Sequence, residues 1–342
     1  MSQKMYYKNL LIQYKNNISL SWKVINDILN RSKKSTKTIK PRFMKNGNII
    51  TDNAEIAEEF NNFFVNVGNS LAAKINDCNR SPLSYLDKPC QSSIFIKPVT
   101  NTDLVKAVKQ IKKNTPGWDD LTGDMFKSVL PDICTPLLHV VNLSFSSGVV
   151  PFEIKIAKIV PIYKAGDAST FSNYRPISLL TVFSKIFERL MYFQVIEFIE
   201  KHDILYKYQC AFRSNYSTDI ALMSMIEKII DAIENGEYGV GIFIDLAKAF
   251  DTVNHSILLD KLAHYGIRGK CNDWFRSYLS DRKQFTNFNG TYSSKKVVTC
   301  GVPQGSILGP ILFILYINDL SNVSDKLFFL LFADDTNIFI KG

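Results

Sequence analysis

The chain has 342 residues, 46% hydrophobic and 21% charged, which excludes an intrinsically disordered protein and leaves room for two or three domains. Its formal net charge of +9 suits partners that carry phosphate or acidic lipid, because basic surfaces gain affinity by releasing condensed counterions. The six cysteines, Cys78, Cys90, Cys134, Cys210, Cys271 and Cys300, stand far apart with no C-x-x-C pair or zinc-ligand spacing, so reduced intracellular thiols are expected.

No charged-then-apolar leader opens the chain. The apolar runs Ile311 to Ile317 and Leu327 to Phe332 fall far short of the roughly 20 residues of a membrane span, so no membrane partner is expected. The basic stretch Arg31 to Arg42 (RSKKSTKTIKPR), closed by a proline, reads as a linker or loop that is either solvated or laid along a nucleic-acid backbone. Asp52 followed by Glu55 has the form of a capping box, and Ile56, Phe60, Phe63, Phe64 and Val67 recur at helical spacing, which predicts a packing helix over 53–70. From about Val99 the texture changes. A helical stretch (TDLVKAVKQIKK) leads to the turn TPGWDD, then to a β-rich run over 156–164, a loop (AGDASTFSNYRP), and a long helix from about Leu179 to Glu200. GVGIFID (239–245) is wholly apolar until its final carboxylate and reads as a buried strand. A helix from His255 to Tyr265 ends at Gly266, and KLFFLLFADDTNIFI reads as strand, two-carboxylate turn, strand. The mixture is α+β.

Asp245 at a strand end and Asp334-Asp335 in a hairpin turn place acids at the rim of a sheet, which is how a rigid metal site is built. Carboxylate oxygens suit Mg²⁺, and two such ions about 3.5 to 4 Å apart activate an attacking hydroxyl and stabilise a leaving phosphate. An isolated Asp-Asp pair is ordinary turn chemistry; neighbouring strand residues also face opposite ways, which favours Asp334 over Asp335 as a ligand. Between the acids lies GVPQGSILGP (301–310), where Gly301, Gly305 and Gly309 permit close backbone approach and Gln304 and Ser306 offer hydrogen bonds. An ordinary loop with a helix starting at Ser306 or after Pro310 fits as well. A phosphate-binding P-loop does not, since no lysine follows the glycines in the required pattern.

These segments together resemble reverse transcriptases of non-LTR retrotransposons, most closely the jockey-like group. FIDLAKAFDTVNHSILLDKLAHYGIRG (243–269) is similar to the family's first catalytic motif, GVPQGSILGPILFILYINDL (301–320) to its nucleotide-pocket motif, and FADD (332–335) to its second catalytic motif. TPGWDDLTGDMFK (115–127) and KIVPIYKAGDASTFSNYRPISLL (158–180) resemble its fingers motifs. The resemblance implies a right-hand polymerase fold with a small antiparallel sheet flanked by helices. It divides the chain into a mostly helical extension over 1–98 and a reverse transcriptase domain over 99–342, with fingers about 99–235 and palm about 236–342.

By the same resemblance, Asp245 and Asp334 hold two catalytic Mg²⁺ ions, replaceable by Mn²⁺, with Asp335 beside them and the Leu246 carbonyl as a further ligand. Phe250 matches the bulky residue that blocks a ribose 2′-hydroxyl, although a core aromatic would look the same. Lys164 and Arg175 match cations that clamp the incoming triphosphate. Gln304, Gly305 and Ala333 match the pocket around templating base, nucleotide and primer end, whereas Asp251 and Arg213 stay unassigned neighbours. The implied activity is RNA-directed DNA polymerisation with an RNA template, a DNA primer and dNTPs as partners, no organic cofactor, and nuclear action inside the cell. The resemblance also implies that the thumb and the endonuclease are missing. The alternative is therefore a catalytically inactive, truncated remnant that at most binds nucleic acid.

Overall fold

In the computed structural model, which describes residues 3–15, 17–28, 42–45, 47–75, 80–111 and 115–342, the chain divides by packing between Thr51 and Asp52. The first unit holds helices α1 (Gln3–Gln13) and α2 (Ile18–Ile28) and a hairpin of β1 (Phe43–Lys45) and β2 (Asn48–Ile50), turned through Gly47 at φ +83°. Of the basic stretch expected as a loop, 31–41 lies outside the described residues.

The second unit begins with α3 (Asn53–Ala72), close to the predicted 53–70, and the Asp52 carboxylate caps it by accepting from Glu55 N–H. Helix α4 (Asn101–Lys109) starts from a reciprocal Thr100–Asp103 capping box, and α5 (Gly123–Ser147) ends at Gly148 in the left-handed region. By length and composition α5 is long and apolar enough to cross a membrane. This corrects the expectation that no stretch reaches that size. Three or four apolar residues per two turns, interrupted by polar ones, escape a search for unbroken runs. Phe126, Leu137, Val141 and Phe145 on its buried face join the core formed with α4, with α6 (Val182–Lys201), and with helices that follow.

β3 (Ile156–Tyr163) and β4 (Tyr174–Leu179) form an antiparallel hairpin. After α7 (Thr218–Glu234) come β5 (Gly239–Asp245), α8 (His255–His264) and α9 (Lys270–Leu279), then β6 (Arg282–Phe288), β7 (Thr291–Tyr292) and β8 (Lys296–Val298). Strand β6 lies parallel to β3 and pairs with β7 and β8, which makes one five-stranded mixed sheet. The chain then runs through α10 (Leu308–Tyr316), which is buried nearly throughout, to β9 (Phe328–Phe332) and β10 (Asp335–Lys341). These last strands and β5 make a separate three-stranded antiparallel sheet in the order β5, β10, β9.

The packing boundary at 51/52 places α3 in the second unit, where it lies against β6, β7 and β8. Phe60 is its anchor: fully buried, its ring meets Phe64, Phe171, Tyr174 and Phe288 within 5.6 Å. Strand β5 also departs from expectation. All seven residues are exposed rather than buried, with Phe243 at 74%. An edge strand has one neighbour, here β10, and α7 packs chiefly on β9. Hydrophobic periodicity cannot distinguish an edge from a centre.

Candidate active site

Three acids stand at one end of the three-stranded sheet. Asp245 is the last residue of β5 and Asp335 the first of β10, and they stand directly opposite in register, so their side chains share a face. Asp334 sits beside them in the two-residue turn between β9 and β10. Asp245 and Asp335 are exposed and Asp334 is half-buried. Among the described residues no ion pair engages any of the three, and no group of three or more His, Cys, Asp or Glu side chains gathers as a ligand set. Register sets Asp335 across from Asp245, and Asp334, the residue the sequence favours, adjoins them in the turn. Carboxylate oxygens set opposite one another on paired strands are the donor type that suits a hard divalent ion. An open groove of about 410 Å³, lined by Asp245, Asp335, Phe243, Phe332, Asn337 and Thr218, lies alongside. A cavity of about 820 Å³ between residues 93–98, α5 and residues 268–271 has no carboxylate in its wall and lies away from this chemistry.

The turn itself is held from behind by a residue that sequence reading missed. Ala333 adopts φ +55°, and its N–H donates to the buried Gln209 Oε1 at 3.2 Å, which also accepts from Ala211 N–H at 3.1 Å. The segment around Gln209 lies along β9, with Leu331 N–H donating to Tyr208 O and Cys210 N–H to Leu331 O. No local pattern marks Gln209, because the turn it supports at Ala333 lies 124 residues away.

Lys164 and Arg175 sit near the tip of the β3–β4 hairpin, both exposed. Arg175 pairs with Ile162, and the ladder continues to Lys164 N–H donating to Asn173 O, so the two cations share a face. A third cation joins them. Lys248, three residues after Asp245 and at φ +52°, sends its Nζ to Ser172 O at 3.1 Å and Tyr174 O at 3.2 Å. Burial lowers its pKa most; Lys164 and Arg175 lower it further, against the pull of Asp251. The loop after the first acid is thereby tied to the hairpin that carries the expected triphosphate cations. Leu246, at the start of this loop, is half-buried against the core.

The Gly-rich segment is clamped on both sides. Val302 N–H donates to Phe250 O, Gly301 N–H to Val253 O, and His255 Nε2 to Gly301 O at 2.7 Å. On the other side Ser178 N–H of β4 donates to Gln304 O at 2.8 Å. Gly305, exposed at φ +117°, passes so near that strand that a Cβ would stand 2.8 Å from Ser178 O. Gln304 Nε2 donates to Asp251 Oδ1 at 2.9 Å and Oδ2 at 3.0 Å. Desolvation pushes the Asp251 carboxyl up to about 6, against the opposing effects of Gln304 and Lys248. Phe250 is half-buried and stacks on the buried Phe313 at 4.6 Å, so it is both a core contact and a rigid wall. Behind the segment, the buried Glu188 of α6 accepts from Ile307 N–H at 2.6 Å and from Tyr278 Oη at 2.9 Å, anchoring the start of α10. The remaining expected neighbour, Arg213, donates to Tyr206 O and Gln209 O and stacks on Tyr216, a supporting position beside Gln209.

Comparison with known proteins bears on this geometry. Residues 162–342 match the family model described as reverse transcriptase (RNA-dependent DNA polymerase). The chain is similar to the probable RNA-directed DNA polymerase from transposon BS of Drosophila melanogaster, 32% identical over 246 residues, which is 70% of this chain and 26% of the relative. It is also similar to the RNA-directed DNA polymerase from mobile element jockey of the same organism, 30% identical over 291 residues, 80% of this chain and 32% of the relative. The chain thus spans about a quarter to a third of the length of these curated relatives.

Proposed function

The chain belongs to the reverse transcriptase (RNA-dependent DNA polymerase) family, and from that premise we propose that it carries the nucleotidyl-transfer site of a non-LTR retrotransposon polymerase. The reaction is attack of a DNA primer 3′-hydroxyl on the α-phosphorus of a dNTP, directed by an RNA template, with pyrophosphate leaving. One observation carries the proposal: Asp335 stands opposite Asp245 at a sheet end, with Asp334 adjoining and no counter-cation among the described residues.

Asp245, Asp334 and Asp335, with the Leu246 carbonyl, are the residues to hold Mg²⁺, or Mn²⁺ in its place. When bound, the ions supply charge stabilisation at the attacking and leaving oxygens. The protein's own groups do the rest. Lys164 and Arg175, braced by Lys248, bind the triphosphate as fixed positive charge. Phe250, stiffened by Phe313, excludes a 2′-hydroxyl. Gln304, Gly305 and Ala333 border the nucleotide and primer end, and basic surface holds the template through its backbone so that every sequence is accepted. Action in the nucleus belongs to the same proposal.

Primer extension on an RNA template with Mg²⁺ and dNTPs tests it, comparing the chain, its Asp245→Asn variant, and the chain extended by the segment that follows the matched region in a relative. Extension that disappears with Asp245→Asn supports the proposal. Nucleic-acid binding without extension in every form leaves the non-catalytic remnant as the correct account.

A further inference from the structure

Gln304 is held at two points, and the second has no counterpart in the sequence expectations. Its carbonyl is fixed by Ser178 N–H and its side-chain amide by both oxygens of Asp251, while two residues earlier Val302 N–H is fixed by Phe250 O. A carboxylate accepts hydrogen bonds only, so it must face the NH₂ end of the amide. The Gln304 Oε1 has no hydrogen-bond partner among the described residues and is not among the buried unpartnered atoms, so it keeps a free acceptor and some exposure. Asp251 is itself fixed: its N–H donates to Lys248 O, and its carbonyl lies where a Cβ on Gly68 or Gly301 would stand, 2.1 and 2.8 Å away.

We propose that Asp251 is the positioning residue of the nucleotide pocket. It spends both amide hydrogens of Gln304 and so makes that side chain present an acceptor, Oε1, toward the ligand. The matching ligand group is a hydrogen-bond donor, a sugar hydroxyl or a base N–H of the incoming nucleotide. This rests on the polymerase function proposed above. It adds a link from the loop behind Asp245 to the Gly-rich segment, so that two of the family's motifs move as one body.

Two readouts on the full chain test it: amide hydrogen exchange at Val302 and Ser178, which needs no catalysis, and the kcat and KM for dNTP in primer extension. Asp251→Asn is expected to speed exchange at both amides and to raise KM about tenfold, the effect of losing a charge-assisted hydrogen bond, with kcat changed far less. The exchanged pair Asp251→Asn with Gln304→Glu restores an amide-to-carboxylate bond of reversed polarity. It is expected to recover the exchange protection while KM stays raised, because position 304 then has no neutral amide to present. Unchanged exchange in Asp251→Asn overturns the proposal, and so does a double variant no better protected than the single ones. If the unaltered chain extends no primer, the polymerase function fails, and the exchange results alone decide whether Asp251 holds the segment.

Discussion

Asp335 opens β10 directly across from Asp245, the last residue of β5, so two carboxylates share a sheet face with no described cation between them. Asp245→Asn and Asp335→Asn are each expected to lower primer extension at least about a hundredfold, as loss of metal-assisted charge stabilisation requires. Urea unfolding should show stability unchanged or raised by up to roughly 1 kcal/mol, since like charges opposite one another on paired strands repel. A large loss of stability would instead mean that these acids are structural.

Lys248 ties the loop after Asp245 to the β3–β4 hairpin through two carbonyls. Lys248→Met keeps the aliphatic stem and removes both bonds. A loss of about 1.5 to 3 kcal/mol is expected in denaturant titration, together with a higher KM for dNTP as Lys164 and Arg175 lose their brace.

Gln209 Oε1 satisfies two backbone N–H groups, one of them in the turn that carries Asp334. Gln209→Leu keeps the volume and orphans both donors. The expected cost is roughly 1 to 3 kcal/mol for each, and amide exchange at Ala333 should quicken; an Ala333 amide as well protected as before would rule out this support.

The Asp251 carboxyl titrates in the folded chain near 6, above its ordinary value of 3.8, with burial the largest cause. A raised carboxyl pKa means the folded state holds the proton more tightly. The associated stability is therefore present below about pH 4 and lost as pH climbs to about 6. Asp251→Asn removes this slope. Relative to the unaltered chain it should gain on the order of 2 to 3 kcal/mol between pH 4 and pH 6.5, measured by thermal unfolding across that range.

A Cβ at Gly68 would stand 2.1 Å from the Asp251 carbonyl. That oxygen belongs to backbone and cannot swing away. Gly68→Ala should cost about 1 to 3 kcal/mol and disturb the 249–253 loop, seen as shifted amide resonances there.

Much of this site is written in local sequence, because strand ends, turns and helix caps depend on adjacent residues. Asp245, the turn at Asp334, α3 with its Asp52 cap and the end of α8 at Gly266 are all legible that way, although the turn is Ala333-Asp334 and Asp335 already belongs to β10. The kinship with jockey-like polymerases was legible too, since motifs are short and ordered. Gln209, Lys248 and Glu188 were not, as their roles come from partners that folding brings near: Gln209 meets Ala333, Lys248 meets Ser172, and Glu188 meets Ile307. The exposure of β5 escaped for a related reason, because an apolar run gives no sign of how many strands will flank it.

Helix α3 sets a lower limit on what can be trimmed. Phe60 closes the aromatic cluster with Tyr174, one residue before Arg175, and Gly68 lies beneath the carbonyl of Asp251. A piece begun at residue 99, where the motifs start, would keep every acid and cation of the site while removing the floor on which two of its walls rest. The smallest portion fit for expression or grafting therefore starts no later than the Asp52 cap, and a helix with no chemistry of its own decides whether the chemistry can be transplanted.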